Sequence, residues 1–277
     1  MQEEGAMFNK MVITSLQNPR VKQAVKLRDK RERDRSQSFL IEGYRELLRG
    51  VKGGVPLIGL FFSPEHFLGT NESALIEKIR EQGVEVMEVS KAVFEKMSYR
   101  DRPDGLLAIA TQTHLSLQDL DYKISKDHPP FFLIAESIEK PGNLGTILRS
   151  CDAAGVDALL VCDRCTDIFN PNVVRASVGT LFTVPVVEVS SDEAIEWLKD
   201  HKIKTIATTP DAPETFTRTD LTGPIAVAVG TEQLGLSKKW MEQADIQVSI
   251  PMHGAADSLN VATATTLLLY EVLRQRA

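Results

Sequence analysis

Near its C-terminus the chain reads Ile250-Pro-Met-His-Gly-Ala-Ala-Asp-Ser-Leu-Asn260, and this run decides how the second half of the molecule is built. A short apolar stretch enters it from Ile246 and a long apolar stretch leaves it towards Arg276, so a strand end passes through a loop into a helix start. The loop carries Gly254, Ser258 and Asn260. Helix starts present N–H groups that have no partner in the chain. Two readings follow: Asp257 or Ser258 caps those groups, or a small polar ligand takes them.

Two upstream segments repeat the arrangement. The apolar run Phe131 to Ala135 leads into Ile138-Glu-Lys-Pro-Gly-Asn-Leu-Gly-Thr-Ile-Leu-Arg-Ser-Cys-Asp-Ala-Ala-Gly155, and the run Ile225 to Val229 leads into Gly230-Thr-Glu-Gln-Leu-Gly-Leu-Ser237. Each junction ends in glycine plus a polar or charged residue, and in open α/β sheets ligands bind at such strand ends. The three together resemble the motifs of the SpoU (TrmH) branch of the SPOUT RNA methyltransferases. They stand here as Asn143, Gly145 and Arg149; as Gly230, Glu232, Gly235, Leu236 and Ser237; and as Ile250, Pro251, Met252, Gly254, Ser258, Leu259, Asn260 and Val261. All three lie in order within roughly the last 147 residues.

The resemblance implies an α/β fold: a C-terminal SPOUT-type, mostly parallel sheet with a deep trefoil knot, preceded by a smaller L30e-like substrate-binding domain. It implies S-adenosylmethionine as methyl donor, held mainly by backbone around Gly230, Ile250 and Leu259, and a homodimer. Glycine permits close approach, while Ile250 and Leu259 offer apolar walls for adenine. The family gives the central catalytic role to the arginine matched by Arg149. A guanidinium is hard to deprotonate, so Arg149 is expected to hold a phosphate and stabilise developing alkoxide charge. Asn143 is expected to bond backbone or the substrate ribose, Glu232 to orient Arg149 or the loops, and Ser258 and Asn260 to position substrate or order the knot loop. No metal is implied. No Gly-x-Gly-x-x-Gly follows a strand, which disfavours a Rossmann-type donor site.

The implied acceptor is a ribose 2′-hydroxyl of structured RNA, which excludes DNA. An appended substrate domain favours ribosomal RNA, with transfer RNA as the alternative. A non-catalytic RNA-binding protein and a small-molecule methyltransferase are the other classes open to this sequence.

Composition agrees with a cytoplasmic enzyme. The 277 residues are 43% hydrophobic, enough for one large or two ordinary cores. No run of about 18 apolar residues suggests a membrane span, and Met1 to Lys10 has no apolar segment of a secretory signal. Three cysteines, Cys151, Cys162 and Cys165, are too few for a disulfide framework. The pair Cys162 and Cys165 has no nearby histidines to complete a zinc site and reads as coincidence.

A net charge of −6 argues against bulk electrostatic capture of nucleic acid, but its distribution matters more. Arg20 to Arg35 holds eight basic residues against three acidic ones. Pro19 after Asn18 starts a helix there, predicted over about 19–35, whose basic face either is solvated or meets phosphates. Strand-like runs at Phe39 to Glu42, Leu57 to Ser63, Val84 to Val89 and Leu106 to Thr111 alternate with helical patterns at Tyr44 to Val51, Ser73 to Gln82 and Lys91 to Ser98. We therefore expect an RNA-binding domain over 1–111, a linker over 112–130 that ends in Pro129-Pro130, and a catalytic domain over 131–277. Strands in the last are expected at Phe131 to Ser137, Ala158 to Cys162, Phe182 to Val189, Thr205 to Thr209, Ile225 to Gly230 and Ile246 to Met252, before a helix over Leu259 to Arg276. Arg175 and Ser177 are further candidates to face RNA or a partner subunit.

Overall fold

The computed structural model describes residues 12–124, 128–163, 165–231 and 233–277. The chain divides into two compact units, Met1–Gln112 and Thr113–Ala277. The first unit runs α1 (Pro19–Lys26), α2 (Lys30–Ser36), β1 (Ser38–Glu42), α3 (Tyr44–Lys52), β2 (Leu57–Phe62), α4 (Glu72–Glu81), β3 (Glu85–Glu88), α5 (Lys91–Met97) and β4 (Leu106–Thr111). Its sheet order is β1-β4-β2-β3, with β4 antiparallel to both neighbours and β3 parallel to β2. One sheet face carries Leu40, Phe61 and Leu107 under Val21, Ala24 and Leu27 from the first helix and its end, and Val93, Phe94 and Met97 of α5.

The predicted basic helix is two helices. Asn18 caps α1 by accepting from Arg20 N at 2.9 Å, and Asp29 starts α2 afresh by accepting from Arg31 N at 2.8 Å. Arg33 is 1% exposed and spends its guanidinium on the Leu27 and Arg28 carbonyls at 2.9 and 2.8 Å, pinning the turn between them. A cation that looked like part of a phosphate-facing row is thus a structural fastener. Three others are occupied by ion pairs: Arg20 with Glu85, Lys30 with Asp34 and Arg35 with Glu32.

The second unit runs β5 (Phe131–Glu136), α6 (Pro141–Ala154), β6 (Ala158–Cys162), α7 (Pro171–Ala176), β7 (Val186–Val189), α8 (Ser191–Asp200), β8 (Lys204–Thr208), β9 (Ile225–Val229), α9 (Lys238–Gln243), β10 (Ile246–Val248) and α10 (Val261–Arg276). Every pairing in its six-stranded sheet is parallel, in the order β10-β8-β9-β5-β6-β7. Central strands β5, β6 and β9 are buried along their whole length, as expected when helices cover both faces. Phe132, Ile134, Leu160, Trp197, Leu198 and Trp240 anchor one core layer. At the far end of α10, Arg276 donates to the Pro130 and Gly223 carbonyls at 3.2 and 2.5 Å, tying that helix to the strand starts.

Residues expected as a linker behave differently from a free connection. Leu115 bridges Val187 in parallel, and Leu117 and Leu120, on and beside a 3₁₀ turn over Gln118–Lys123, join the second core. Charged neighbours masked these leucines in the sequence. Strand β7 begins at Val186 rather than Phe182, because Thr180–Phe182 form a 3₁₀ turn in which Thr180 Oγ1 donates to the Ser177 carbonyl at 2.9 Å. Strand β10 likewise stops at Val248, where Ser249 turns to pair with Thr215. Among the described residues, no helix is long and apolar enough to cross a membrane.

Candidate active site

Strand order locates the site. From β5 the chain steps outward through β6 to β7, then crosses to place β9 on the other side of β5, so the order reverses between β5 and β9. Loops leaving the C-terminal ends of strands flanking such a reversal diverge and open a crevice. The loop after β5 and the start of α6, the loop after β9, and the long loop after β10 all meet there.

After β9 the chain makes a tight turn. Thr231 N and Gly235 N each donate to the other's carbonyl, at 3.1 and 3.0 Å, and Gly235 takes φ +66°. Leu234 N donates to Thr231 Oγ1 at 3.0 Å. Gly230 lies under this turn so tightly that an added Cβ would overlap the Gly235 carbonyl and the Leu236 amide. From β5, the buried carboxylate of Glu136 accepts from Ser237 N at 2.7 Å and locks the turn to the neighbouring strand. Glu232, expected to orient Arg149 or the loops, lies outside the described residues.

The loop after β10 ends in an asparagine cap. Asn260 Oδ1 accepts from Ala262 N at 3.0 Å and starts α10 at Val261, two residues later than expected. The cap is therefore Asn260 and neither Asp257 nor Ser258, which are exposed, and such a cap contributes about 1 kcal/mol. The same side chain donates through Nδ2 to Asn143 Oδ1 at 3.2 Å. Helix α6 begins at Pro141, so Asn143 sits in its first turn. Two of the three motifs are thereby joined directly by side chains.

Two cavities adjoin at these loops. The larger, about 560 Å³, is lined by Gly230 and the turn after it, by Ile250, Ser258 and Leu259 of the third motif, and by Thr208 at the end of β8. The smaller, about 150 Å³, lies between the β5–α6 loop and the same turn and is lined by Asn143. Thr231, Gln233, Leu234 and Val261 wall both. Leu234 is 88% exposed, unusual for a leucine and explained by its position on the rim between them.

Arg149 is exposed on α6 and lines neither cavity. Six residues separate it from Asn143, about 1.7 turns and about 9 Å along the axis, which turns it away from the asparagine. Gly145 of the same motif has a packing role: a Cβ there would stand 2.8 Å from Ser177 N, so the glycine lets α6 and α7 meet. Ser177 faces neither RNA nor a partner. It is fully buried and donates to the Val174 carbonyl at 2.9 Å, whereas Arg175 is exposed.

Sequence reading missed Glu136 and Thr208. Thr208 Oγ1 is buried with no hydrogen-bond partner, on a residue that lines the larger cavity. The cysteines supply no chemistry here. Burial pushes the Cys165 thiol up to about 11 and the Cys151 and Cys162 thiols higher, so none is a thiolate near neutrality. Cys165 accepts from Ile138 N at 3.1 Å in the loop after β5.

A parallel α/β unit with two joined cavities at its switch point, preceded by a separate α/β unit, is the architecture of a ligand-binding α/β protein. Comparison with known proteins narrows it. The model of the SpoU rRNA Methylase family matches residues 130–270, and that of the MRM3-like substrate binding domain matches residues 18–108. A 23S rRNA (uridine(2479)-2′-O)-methyltransferase of Streptomyces viridochromogenes is 31% identical over 256 residues, spanning 90% of this chain and 87% of that one. The crystal structure of an RNA 2′-O ribose methyltransferase superposes with a TM-score of 0.82 at 39% identity, over 96% of this chain and 99% of that one. The AdoMet-bound rRNA methyltransferase of Sinorhizobium meliloti gives 0.86 at 29% identity, over 96% and 98%. The chain belongs to the SpoU rRNA methylase family.

Proposed function

We propose that the protein transfers a methyl group from S-adenosylmethionine to a ribose 2′-hydroxyl of ribosomal RNA, working in the cytoplasm as a homodimer. The supporting observation is the pair of cavities that share a wall at the strand ends. The larger suits the donor. Its volume lies within the range of about 300–1,000 Å³ usual for small-molecule sites. Ile250 and Leu259 supply apolar walls, the peptide groups beside Gly230 reach a ligand without side-chain obstruction, and the unpartnered Thr208 hydroxyl is satisfied by a polar ligand atom. The smaller, beside Asn143 and its partner Asn260, suits the acceptor sugar. Ser258, on the wall of the larger cavity, positions the substrate or orders the knot loop.

When bound, the donor's sulfonium supplies an electrophilic methyl carbon. A donor held against Gly230, Ile250 and Leu259 would offer that methyl to a ribose hydroxyl held beside Asn143. The chain's own residues hold the acceptor in line, which removes several kcal/mol of barrier, roughly, and they stabilise the charge on the oxygen. Arg149, exposed on α6, holds the phosphate beside the target sugar and, once that RNA is bound, brings its charge to the developing alkoxide. Glu232 orients the arginine or its loop. The same reading assigns a deep trefoil knot to the segment that ends in α10, and substrate capture to residues 1–111.

Transfer of tritium from S-adenosylmethionine to RNA of cells lacking the gene tests the reaction. Labelled ribose in ribosomal RNA is expected. Label in transfer RNA selects the alternative substrate, and binding without label makes the protein a non-catalytic module.

For the dimer, Leu267, Tyr270 and Leu273 are 42, 47 and 42% exposed at three-residue intervals along α10, beside α6, to which Ser150 and Thr266 hydrogen-bond it at 2.7 Å. A second copy on this face would bury them symmetrically. Tyr270→Asp is expected to halve the mass seen by light scattering. A wild-type protein that is already monomeric would remove the dimer from the proposal.

A further inference from the structure

The N-terminal unit carries a charged and aromatic surface on the loop that joins α5 to β4. Its inner layer is acidic and buried: Glu42, Glu46 and Asp104 are 8, 4 and 9% exposed. Glu42 accepts from the Ser98 hydroxyl and, at 2.7 Å, from Tyr99 N. Asp104 accepts from Tyr44 N at 2.9 Å. Arg100 donates to the Glu42 carbonyl at 2.7 Å and to the Glu46 carboxylate. Gly43, at φ +113°, makes room for this: a Cβ there would collide with the Arg100 and Glu46 side chains. The carboxylates therefore point inward: Glu46 and Asp104 pair with Arg100, and Glu42 fixes the loop through Ser98 and Tyr99.

What faces outward is different. Arg45, next to Tyr44, and Arg102 are exposed, with Asp101 as the loop's own exposed carboxylate. Tyr99 shows 38% of its surface. Arg28, from the turn between α1 and α2, donates to the Lys96 and Ser98 carbonyls at 2.8 and 2.5 Å and sets its guanidinium 6.0 Å from the Tyr99 ring centroid. An aromatic ring on a fixed backbone, backed by one guanidinium and accompanied by others, is the equipment for gripping an unpaired base and its phosphates. The cations of α1 and α2 are less suited, because several are committed to internal pairs.

We propose that Tyr99, backed by Arg28, stacks an unpaired nucleobase of the RNA substrate while Arg45 and Arg102 hold the adjoining phosphates. This rests on the RNA reading above and adds that the target offers a loop or bulge to the N-terminal unit. A duplex has no free base face to give.

Filter binding of the full-length protein to ribosomal RNA from cells lacking the gene, across a salt series, tests the surface. Tyr99→Ala is expected to weaken binding about ten-fold, within the range of one base–aromatic stack, and Tyr99→Trp to retain it. The double variant Arg45→Gln, Arg102→Gln is expected to reduce the slope of log affinity against log salt by about 1.4, at about 0.7 per phosphate contact to a single strand. S-adenosylmethionine affinity, measured by calorimetry on each variant, stays at the wild-type value and reports an intact fold. Wild-type affinity and salt slope in both Tyr99→Ala and the arginine double variant would overturn the proposal. If wild-type protein binds this RNA through Tyr99 but labels no ribose, the stacking surface stands and the proposed reaction falls.

Discussion

Arg149→Ala is expected to lower the turnover of methyl transfer by about 10²- to 10³-fold, the cost of removing one group that stabilises a developing oxyanion, while leaving S-adenosylmethionine binding intact. The two halves of that expectation come from position. Arg149 is exposed on α6 and lines neither cavity, so its loss removes no wall of the donor site and leaves no cavity in the core. Surface changes of this kind shift stability by no more than about 0.5 kcal/mol. Arg149→Lys keeps the charge but loses the planar fork that grips a phosphate through two N–H groups. Its turnover should fall between wild type and the alanine variant. Donor affinity by calorimetry and single-turnover transfer to ribosomal RNA separate binding from chemistry. Near-normal turnover of the alanine variant would mean that the alkoxide is stabilised elsewhere.

The position of Arg149 also shows where the sequence stops being readable. Its membership of a motif with Asn143 was legible, but the side on which a helix presents a residue depends on where the helix begins. The start at Pro141 puts both residues on one rigid helix, facing different ways. The central strands were legible because a sheet covered on both faces needs continuous apolar runs, and β5, β6 and β9 are such runs. Strand ends were less so. At Thr180 and Ser249, local hydrogen bonds turned the chain out of a sheet its composition would have allowed. Glu136 and Thr208 were invisible for another reason. Each terminates an ordinary strand, and its role comes from a partner or a cavity supplied by residues far away in the chain. The basic run from Arg20 to Arg35 misled in the opposite direction: composition counted eight cations without showing that Arg33 is buried under its own turn.

Gly230→Ala is expected to abolish donor binding, whereas Gly254→Ala, one motif further on, should leave it unchanged. Both glycines belong to the family pattern, and geometry separates them. A Cβ on Gly254 meets nothing within 4 Å. One on Gly230 would occupy the space of the Gly235 carbonyl and the Leu236 amide, which are backbone and can yield only if the whole turn moves. Moving it breaks the paired bonds between Thr231 and Gly235, pulls Ser237 from Glu136, and shifts Leu236, which is 8% exposed and packs in the main core. Overpacking of this type costs about 1–3 kcal/mol, so the variant should still fold, with a lowered melting temperature. The larger cavity takes its wall from this turn, and the donor contacts proposed above are to the peptide groups of that wall. Calorimetry with S-adenosylmethionine should therefore register no binding to Gly230→Ala and wild-type binding to Gly254→Ala. Comparable affinities in the two variants would place the donor outside the cavity beneath the β9 turn.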